Sequence, residues 1–232
     1  MPRSLEALIE RQIQRSEIQR RATASQPPAP CVALSRLPGS GGAELGRRLA
    51  ERLGYEFYGI ELVDRIAQAS HVRRQLVEAL DERVRVAIDR YASDCFRDAV
   101  FRESDYVRYL IHTIAGLGEH GGAVVLGRGA AYILRPERTL RALVVAPREL
   151  RVARLARERS LPLEEAAQRV AHEEQARAEF LRHHFKVDPD DPSLYDVAVN
   201  TESLGMEGAV ELVVRAFERR FPGPTRPAVA YA

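Results

Sequence analysis

The sequence has a single lysine, no tryptophan, two cysteines and no long apolar run. Cys31 and Cys95 are too few and too far apart for a disulfide framework or a zinc site, so we expect both to be reduced and buried. No stretch approaches the roughly 18 consecutive apolar residues of a membrane span. The N-terminus also lacks the apolar core of a secretory signal. We therefore expect a cytoplasmic protein without a membrane segment.

The scarcity of lysine limits how the chain can bind anions. Of 35 basic residues only Lys186 is a lysine. A GC-rich coding bias is the simplest explanation, but any cationic ligand of a phosphate is then almost certain to be an arginine, which presents a planar fork of donors. The net charge is only +2. With no aromatic stacking motif either, we expect no specific nucleic-acid partner.

The 232 residues suit one sizeable domain with an extension at each end. Residues 1–30 predict an amphipathic helix, with apolar residues at helical spacing, and then a proline-rich linker, SQPPAP. This helix would dock on the domain or on a second subunit, or stay mobile, so a homodimer is possible. Residues 222–232 predict a disordered tail.

Short apolar segments alternate with helical patterns between these ends. Such alternation predicts an α/β fold, in which helices cover both faces of a parallel sheet in three layers. The predicted strands are residues 31–35, 55–58, 123–127, 140–146 and 196–201. The predicted helices are residues 44–53, several within 61–119 with a break near Ser70, a short one after 129, then 148–159, 163–184 and 207–220.

A glycine-rich turn follows the first strand, in SRLPGSGGAELG. Glycines allow positive φ and close approach of a ligand, and the following helix adds its positive end, so Gly39, Ser40, Gly41, Gly42 and Ala43 could cradle a phosphate. A tight turn that binds nothing is an equally good interpretation of the glycines alone. The usual cradle ends in Gly-Lys-Ser or Gly-Lys-Thr, and this one ends in Gly-Gly-Ala.

The order of the motifs resembles the cytidylate kinase-like family, a branch of the P-loop nucleoside monophosphate kinases. The resemblance covers about residues 31–221 and rests on Ser-Arg before GSGG, on VVLGRG, on the arginine-rich stretch from 148 and on YDVAVNT. It implies a five-stranded parallel sheet, a helical insertion for the monophosphate at 59–120 and a lid at 155–176. It also implies ATP with Mg²⁺ as the phosphoryl donor and CMP or dCMP as acceptor.

The chain departs from the family pattern where cations and metal ligands are expected. Gly42 stands where the phosphate-binding lysine normally lies, and Ala43 stands where a hydroxyl normally binds magnesium. Gly59 and Ile60 replace an Asp-Lys pair of this branch, and Gly129 replaces an aspartate of the classical enzymes. A nucleotide-binding protein with little or no catalytic activity is therefore the alternative function.

Four arginines are the candidates for the remaining chemistry. Arg36 precedes the turn and could supply the missing cation. Arg128 follows a strand at the edge where such sheets bind ligands, and the resemblance implies that it grips the acceptor phosphate, although a salt bridge is the alternative. Arg151 and Arg177 match the lid arginines that neutralise the transferring phosphoryl group. His172, His183 and His184 lack a carboxylate partner in register, so we predict no metal site built by the protein.

Overall fold

A computed structural model of the protein describes residues 4–22, 27–94 and 105–222. The predicted tail lies almost wholly outside these ranges, as do Cys95 and part of the predicted linker. The elements, in chain order, are α1 (Leu5–Ala22), β1 (Cys31–Arg36), α2 (Gly42–Leu53), β2 (Glu56–Tyr58), α3 (Ile60–Gln68), α4 (Ser70–Glu78), α5 (Glu82–Asp94), α6 (Asp105–His120), β3 (Ala123–Leu126), α7 (Ala130–Ile133), β4 (Thr139–Val145), α8 (Arg148–Arg159), α9 (Leu163–Phe185), β5 (Val197–Asn200) and α10 (Gly205–Arg220).

The five strands form one parallel sheet in the order β2-β3-β1-β4-β5. β1 lies at the centre, where Val32 pairs with Val124 of β3 on one side and with Leu140 of β4 on the other. All pairings are parallel, so the carboxyl ends of the strands meet at one edge. The loops that follow β1, β3, β4 and β5 are therefore neighbours, as in other open α/β sheets whose ligands bind at that edge.

Successive side chains of a strand point to opposite sides of the sheet, so a strand of consecutive apolar residues makes both faces apolar. Helices cover both faces of this sheet. Val32 and Leu34 belong to a core shared with α2 and α10. Cys31 and Ala33 face the other way, into a core built with α3, α4, α6 and α7. Two separate apolar cores on one sheet confirm the predicted three-layer α/β arrangement.

Helix α1 packs against the helices that cover one face of the sheet. Ile9 is fully buried in the core beneath α4 and α6. Gln12 donates to the carbonyl oxygen of Gly121 and accepts a hydrogen bond of 3.2 Å from the hydroxyl of Tyr58. Of the alternatives left open by the sequence, docking on the chain's own domain is the one observed.

Helices α8 and α9 form a hairpin with a small apolar core of its own. Val152, Leu155 and Ala156 of α8 pack against Ala166 and Val170 of α9. Ser160 adopts a left-handed conformation with φ 53° and ends α8, and Pro162 precedes α9. None of the helices in the described ranges is both long enough and apolar enough to cross a membrane.

Candidate phosphate-binding site

The loop of residues 37–41 joins β1 to α2 and carries the left-handed glycines that the sequence singles out. Gly39 has φ 77° and Gly41 has φ 83°, a region that L side chains rarely adopt. The Ser40 amide donates to the carbonyl oxygen of Leu37 over 3.1 Å, which closes the turn. The chain therefore reverses within three residues and enters α2 with its helix axis pointing away from the sheet edge.

Packing within the protein requires glycine at residue 39. A Cβ atom at residue 39 would lie 2.4 Å from the carbonyl oxygen of Arg151 in α8. Backbone thus meets backbone here, and no side chain fits between them. The loop is fixed against the first turn of the α8–α9 hairpin.

The end of α2 that faces the sheet edge presents unused donors. No described residue accepts a hydrogen bond from the backbone N–H groups of Gly41, Gly42, Ala43 or Glu44. The first amides of a helix lack intrahelical acceptors, and their partial positive charge attracts anions. Ser40 adds a buried hydroxyl oxygen for which the described chain offers no partner. Open amides together with an orphan hydroxyl are what a phosphate site requires.

The back of the loop is held by two residues from elsewhere in the chain. Arg154 of α8 donates 3.1 Å to the carbonyl oxygen of Ser40 and 2.7 Å to the hydroxyl of Thr201. Thr201, directly after β5, donates 2.8 Å to the same carbonyl oxygen. The Ser40 carbonyl oxygen therefore points away from the open amides. It leaves the side of the loop on which those amides lie, here called the front, without a partial negative charge that would repel an anion.

Arg36 is the last residue of β1 and stands against Gly42. A Cβ at residue 42 would lie 2.8 Å from Cβ and 3.1 Å from Cγ of Arg36. In the described parts of the chain the Arg36 guanidinium has neither a hydrogen-bond partner nor an ion pair, although the side chain is half-buried. Burial lowers the pKa of Arg36, Glu173 opposes that shift, and the nearby charges of Arg177 and Arg128 add to it.

Arg128 lies in a turn with an unusual backbone. Gly127, Arg128 and Gly129 all have positive φ, and for Arg128 the value is 51°. A side chain held in this region marks a backbone that the surrounding structure imposes, and such residues concentrate at functional sites. The strained turn places Arg128 at the same sheet edge as Arg36.

The Arg128 guanidinium is paired, which realises the alternative that the sequence left open. Its Nε and Nη2 donate 2.8 and 2.5 Å to the two carboxylate oxygens of Asp64 in α3, and the hydroxyl of Tyr106 donates 2.7 Å to the same carboxylate. Burial opposes the charge of Arg128, but these contacts outweigh it and raise its pKa. In this conformation the carboxylate of Asp64 already neutralises the charge that Arg128 would offer to a phosphate.

Arg151 and Arg177, the two predicted lid arginines, have different surroundings. The Arg151 side chain is buried, with 6% exposure, and it binds the carbonyl oxygens of Ala146 and Pro38 and the carboxylate of Glu174. Its donors hold the loop and both hairpin helices together, so in this conformation it does not face the space in front of the loop. Arg177 donates 3.1 Å to the hydroxyl of Tyr195, and none of the described residues occupies its Nε or Nη1.

Arg128 and Arg177 lie close enough to Arg36 for their charges to lower its pKa, and Arg36 stands against Gly42 at the start of α2. These three residues are here called the arginine cluster. Arg151 lies behind the loop. The sequence did not identify Asp64, Thr201 or Tyr195 as partners of these arginines. Tyr195 and Thr201 belong to the YDVAVNT motif, but the motif does not say which side chains they contact, and the local pattern around Asp64 is that of an ordinary helix. Arg154 did carry a signal, since it lies three residues after Arg151 on the same helix.

A magnesium ion would find few ligands from the protein at this place. Ala43 has no side-chain oxygen, and the Glu44 carboxylate is paired with Arg48 at 2.6 Å. Within the described ranges no three His, Cys, Asp or Glu residues group closely enough to hold a metal. The Ser40 hydroxyl is the remaining oxygen of the loop, so a bound Mg²⁺ would depend mainly on nucleotide oxygens and water.

A separate pocket of about 250 Å³ lies between α5, α6 and α7. Its polar end consists of Arg135 and Arg138, which share the carboxylate of Glu119 at 2.6 and 2.8 Å. None of the arginine cluster lines this pocket. The chemistry of the open amides and the unpaired Arg36, rather than the size of a cavity, therefore identifies the candidate site.

The five-stranded parallel sheet, with a glycine-rich turn between its central strand and α2, has the architecture of the P-loop α/β fold. Within that fold class, the chain belongs to the cytidylate kinase-like family, whose model matches residues 31–203. It is 30% identical over 200 residues to a cytidylate kinase of Methanopyrus kandleri, and the aligned region covers 81% of this chain and 92% of the relative. It is 27% identical over 197 residues to a cytidylate kinase of Aeropyrum pernix, which covers 81% and 98%.

A solved structure of an uncharacterized protein from Eubacterium ventriosum has the same fold. It superposes with a TM-score of 0.65 at 18% identity and covers 82% of this chain and 98% of its own. At this identity the likeness concerns the fold alone, and it confirms the five-stranded α/β sheet.

Proposed function

We propose that the protein transfers the γ-phosphoryl group of ATP to a nucleoside monophosphate, with CMP or dCMP as the acceptor. The observation that carries this proposal is the pairing of open amides at the start of α2 with the unpartnered guanidinium of Arg36. Phosphoryl transfer needs little covalent chemistry from a protein, and positioning and positive charge supply most of the catalysis. Both are present at this edge of the sheet.

The donor phosphates would bind at the loop. The N–H groups of Gly41, Gly42 and Ala43, with that of Gly39 behind them, would donate to the phosphate oxygens, and the positive end of α2 would add to the attraction. Arg154 and Thr201 would keep the Ser40 carbonyl turned away from the anion.

Arg36 would act in place of the missing lysine. Because the Arg36 side chain occupies the space into which a side chain at residue 42 would project, the loop can hold a cation at one of the two positions but not at both. The P-loop would then keep a phosphate-binding cation, supplied by the preceding strand instead of by the loop itself. A guanidinium presents its donors as a fork, which suits two phosphate oxygens at once.

The acceptor would bind on the side of Arg128. Its Nη1 has no partner among the described residues, so Arg128 could contact a monophosphate while Asp64 holds its other nitrogens. Asp64 would then orient the guanidinium and also neutralise part of its charge. Arg177 would approach from α9 and neutralise the phosphoryl group in transfer, and Arg151 would hold the loop in place for that step.

Magnesium would enter with ATP, bound chiefly by phosphate oxygens and water, with the Ser40 hydroxyl as the nearest loop oxygen. Bound Mg²⁺ would neutralise charge on the phosphates. The same proposal includes a helical insertion at residues 59–120, a lid at 155–176 and a cytoplasmic location. It also includes a possible homodimer, which sedimentation of the full chain tests.

The alternative is a nucleotide-binding protein with little or no turnover. Two observations favour it: residue 43 has no hydroxyl, and Arg128 is already paired with Asp64. Such a protein would bind ATP or a monophosphate with ordinary affinity and act as a sensor or scaffold.

ATP turnover with Mg²⁺ across a panel of nucleoside monophosphates, measured beside nucleotide affinity, tests the two functions. We expect turnover with CMP or dCMP, and we expect Arg36→Ala to lower it on the order of a hundred- to a thousandfold, as loss of one preorganised electrostatic group does. Arg47→Ala is the matched control, because Arg47 is an exposed arginine of α2. Binding without turnover supports the alternative function, and full turnover in Arg36→Ala contradicts the role of Arg36.

A further inference from the structure

The Arg177 guanidinium donates to one tyrosine hydroxyl, which in turn contacts the hydroxyl of a second tyrosine. Its Nη2 donates 3.1 Å to the hydroxyl of Tyr195, which lies just before β5. The Tyr195 hydroxyl in turn lies 3.1 Å from the carbonyl oxygen of Pro189 and 3.3 Å from the hydroxyl of Tyr132 in α7. Three segments that are distant in the sequence therefore meet at one oxygen atom.

The direction of each hydrogen bond follows from counting donors. A phenol has one proton to donate and two lone pairs to accept. The Pro189 carbonyl can only accept, so the Tyr195 proton points to it. Arg177 and Tyr132 must then both donate to Tyr195, which makes full use of its hydroxyl. Phenylalanine at residue 195 would fill the same space but lose all three contacts.

The same region anchors the C-terminal end of α9. Phe185 lies against Gly129, where an added Cβ would come within 2.4 Å of its ring. The ring also packs on Tyr132, with 5.6 Å between the ring centroids. Lys186 then adopts a left-handed conformation with φ 56° and ends the helix. Arg177 is about two turns from this anchor, whereas the far end of the hairpin is about six turns away.

We propose that Tyr195, supported by Tyr132, is the positioning residue that holds Arg177 toward the phosphate loop. This inference rests on the proposed function. An unrestrained arginine would lose much rotamer freedom on gripping the phosphoryl group in transfer, and a hydrogen bond made in advance removes most of that loss. The tyrosine hydroxyl leaves Nε and Nη1 of Arg177 for the anion, because it occupies only Nη2.

The same tyrosine pair joins the two sides of the site. Tyr132 lies in the helix that directly follows the Arg128 turn, so a shift of that turn on binding of the acceptor phosphate would reach Arg177 through two hydroxyl groups. The hairpin would then respond to acceptor binding as well as to ATP.

The test is a double-mutant cycle in the full chain. Tyr195→Phe should lower kcat about tenfold, which corresponds to the loss of one ordinary hydrogen bond, and should leave KM for the monophosphate within about twofold. In an Arg177→Ala background the same change should have no further effect on kcat, because the group it positions is gone. Tyr132→Phe should give a smaller loss than Tyr195→Phe.

Tyr91→Phe is the matched control, since the Tyr91 hydroxyl donates 2.9 Å to the backbone oxygen of Tyr132 and does not reach Tyr195. Urea unfolding of each variant, with activity measured where all are folded, separates positioning from stability. Equal losses of kcat from Tyr195→Phe in the wild-type and Arg177→Ala backgrounds overturn the inference and leave the proposed function intact.

If the wild-type chain shows no turnover, the proposed function fails and the cycle is run on ATP affinity instead. Tyr195→Phe should then weaken ATP binding only while Arg177 is present. An affinity that is unchanged by Tyr195→Phe, or lowered equally in both backgrounds, overturns the positioning role in that case too.

Discussion

Gly42 and Arg36 form a unit in which one residue is small because the other is large. A methyl group at residue 42 would lie 2.8 Å from Cβ of Arg36, closer than real Cβ contacts, and that atom cannot swing away as the end of a flexible side chain could. Either Arg36 or the first turn of α2 must move. The lysine of the usual P-loop therefore does not fit at residue 42 unless Arg36 is also changed.

We expect Gly42→Ala to lower the free energy of unfolding by about 1–3 kcal/mol through overpacking, and to weaken ATP binding because Arg36 is displaced. Gly208→Ala is the control, since its added Cβ meets only Cβ of Leu204 at 3.5 Å and alanine favours a helix. Urea unfolding and titration calorimetry with ATP measure both effects. A Gly42→Ala protein with wild-type stability and affinity would contradict the close packing.

A swap of the cation between the two positions extends this test. We expect Gly42→Lys alone to lose nucleotide turnover, because the new side chain collides with Arg36. The double variant Arg36→Gly/Gly42→Lys removes the collision and returns a cation to the loop, so it should regain part of the turnover. Initial rates with ATP and the best acceptor decide this, and a double variant no better than Gly42→Lys would count against exchangeable cations.

Asp64 determines how much of the Arg128 charge reaches an anion. We expect Asp64→Asn to lower the free energy of unfolding by about 1–3 kcal/mol, since a charge-assisted bidentate contact becomes a weaker one. Affinity for the monophosphate should rise, because Arg128 keeps its charge without a fixed counter-ion. Isothermal titration with CMP measures this, and a fall in affinity would indicate that Asp64 orients Arg128 more than it neutralises it.

Edge strand β5 depends on a carboxylate just before it. Asp196 accepts 2.7 Å from the backbone N–H of Arg141 in β4 and lies 2.6 Å from Nη1 of Arg220 in α10. Burial alone would raise the pKa of Asp196, but the hydrogen bonds from Arg141 and the charges of Arg141 and Arg220 lower it below its ordinary value of 3.8. One carboxylate thus joins the sheet edge to the last helix.

A lowered pKa gives this element a predictable pH dependence. The stability that Asp196 contributes is complete above about pH 5 and is lost as the pH falls through the lower pKa of the folded state, because the unfolded chain binds the proton more readily. Asp196→Asn should therefore lower stability at pH 7 and flatten its decline in acid. Urea unfolding from pH 7 to pH 2 measures this, and parallel curves for both proteins would exclude Asp196 as a cause.

Elements were predictable where a periodic pattern was long and local. The bounds of α8 agree with the prediction at both ends, and α9 differs by one residue, because Leu161-Pro162 separates two unambiguous helical patterns. Contacts across elements were not predictable. The position of Arg128 directly after a strand indicated that it lies at the ligand-binding edge of the sheet. Nothing in the sequence indicated its partner, because Asp64 lies inside an ordinary helix and only the packing of α3 brings its carboxylate to Arg128.

Arg151 shows the same limit at the site itself. Its match to the lid arginines of the family implied a group facing the cleft, but neither that match nor the arginine-rich pattern says which face of α8 meets the loop. The structure turns Arg151 toward the carbonyl oxygen of Pro38 and leaves Arg154 beside Gly41. Periodicity therefore located the helix but not its rotation about its own axis.

At the scale of the whole molecule, α1 is a structural part of the domain although the family model begins at residue 31. Ile9 is fully buried, whereas Ile18 is 57% exposed on the same helix. We expect Ile9→Ala to lower the free energy of unfolding by about 2–5 kcal/mol, through lost burial and the cavity that remains. Ile18→Ala should change it by less than about 0.5 kcal/mol. Equal effects of the two substitutions in urea unfolding would mean that α1 detaches readily.

The central position of β1 also has a consequence for the newborn chain. β1 leaves the ribosome before any other strand, yet both of its neighbours, β3 and β4, follow it by roughly a hundred residues of synthesis. At about 5–20 residues per second, an apolar strand with two unpaired edges waits on the order of ten seconds for its partners. Of the two helices that cover the Val32 and Leu34 face of β1, α2 is made within that interval and α10 only after it. The glycine turn that sets α2 against β1 therefore also shields this face of the strand from aggregation.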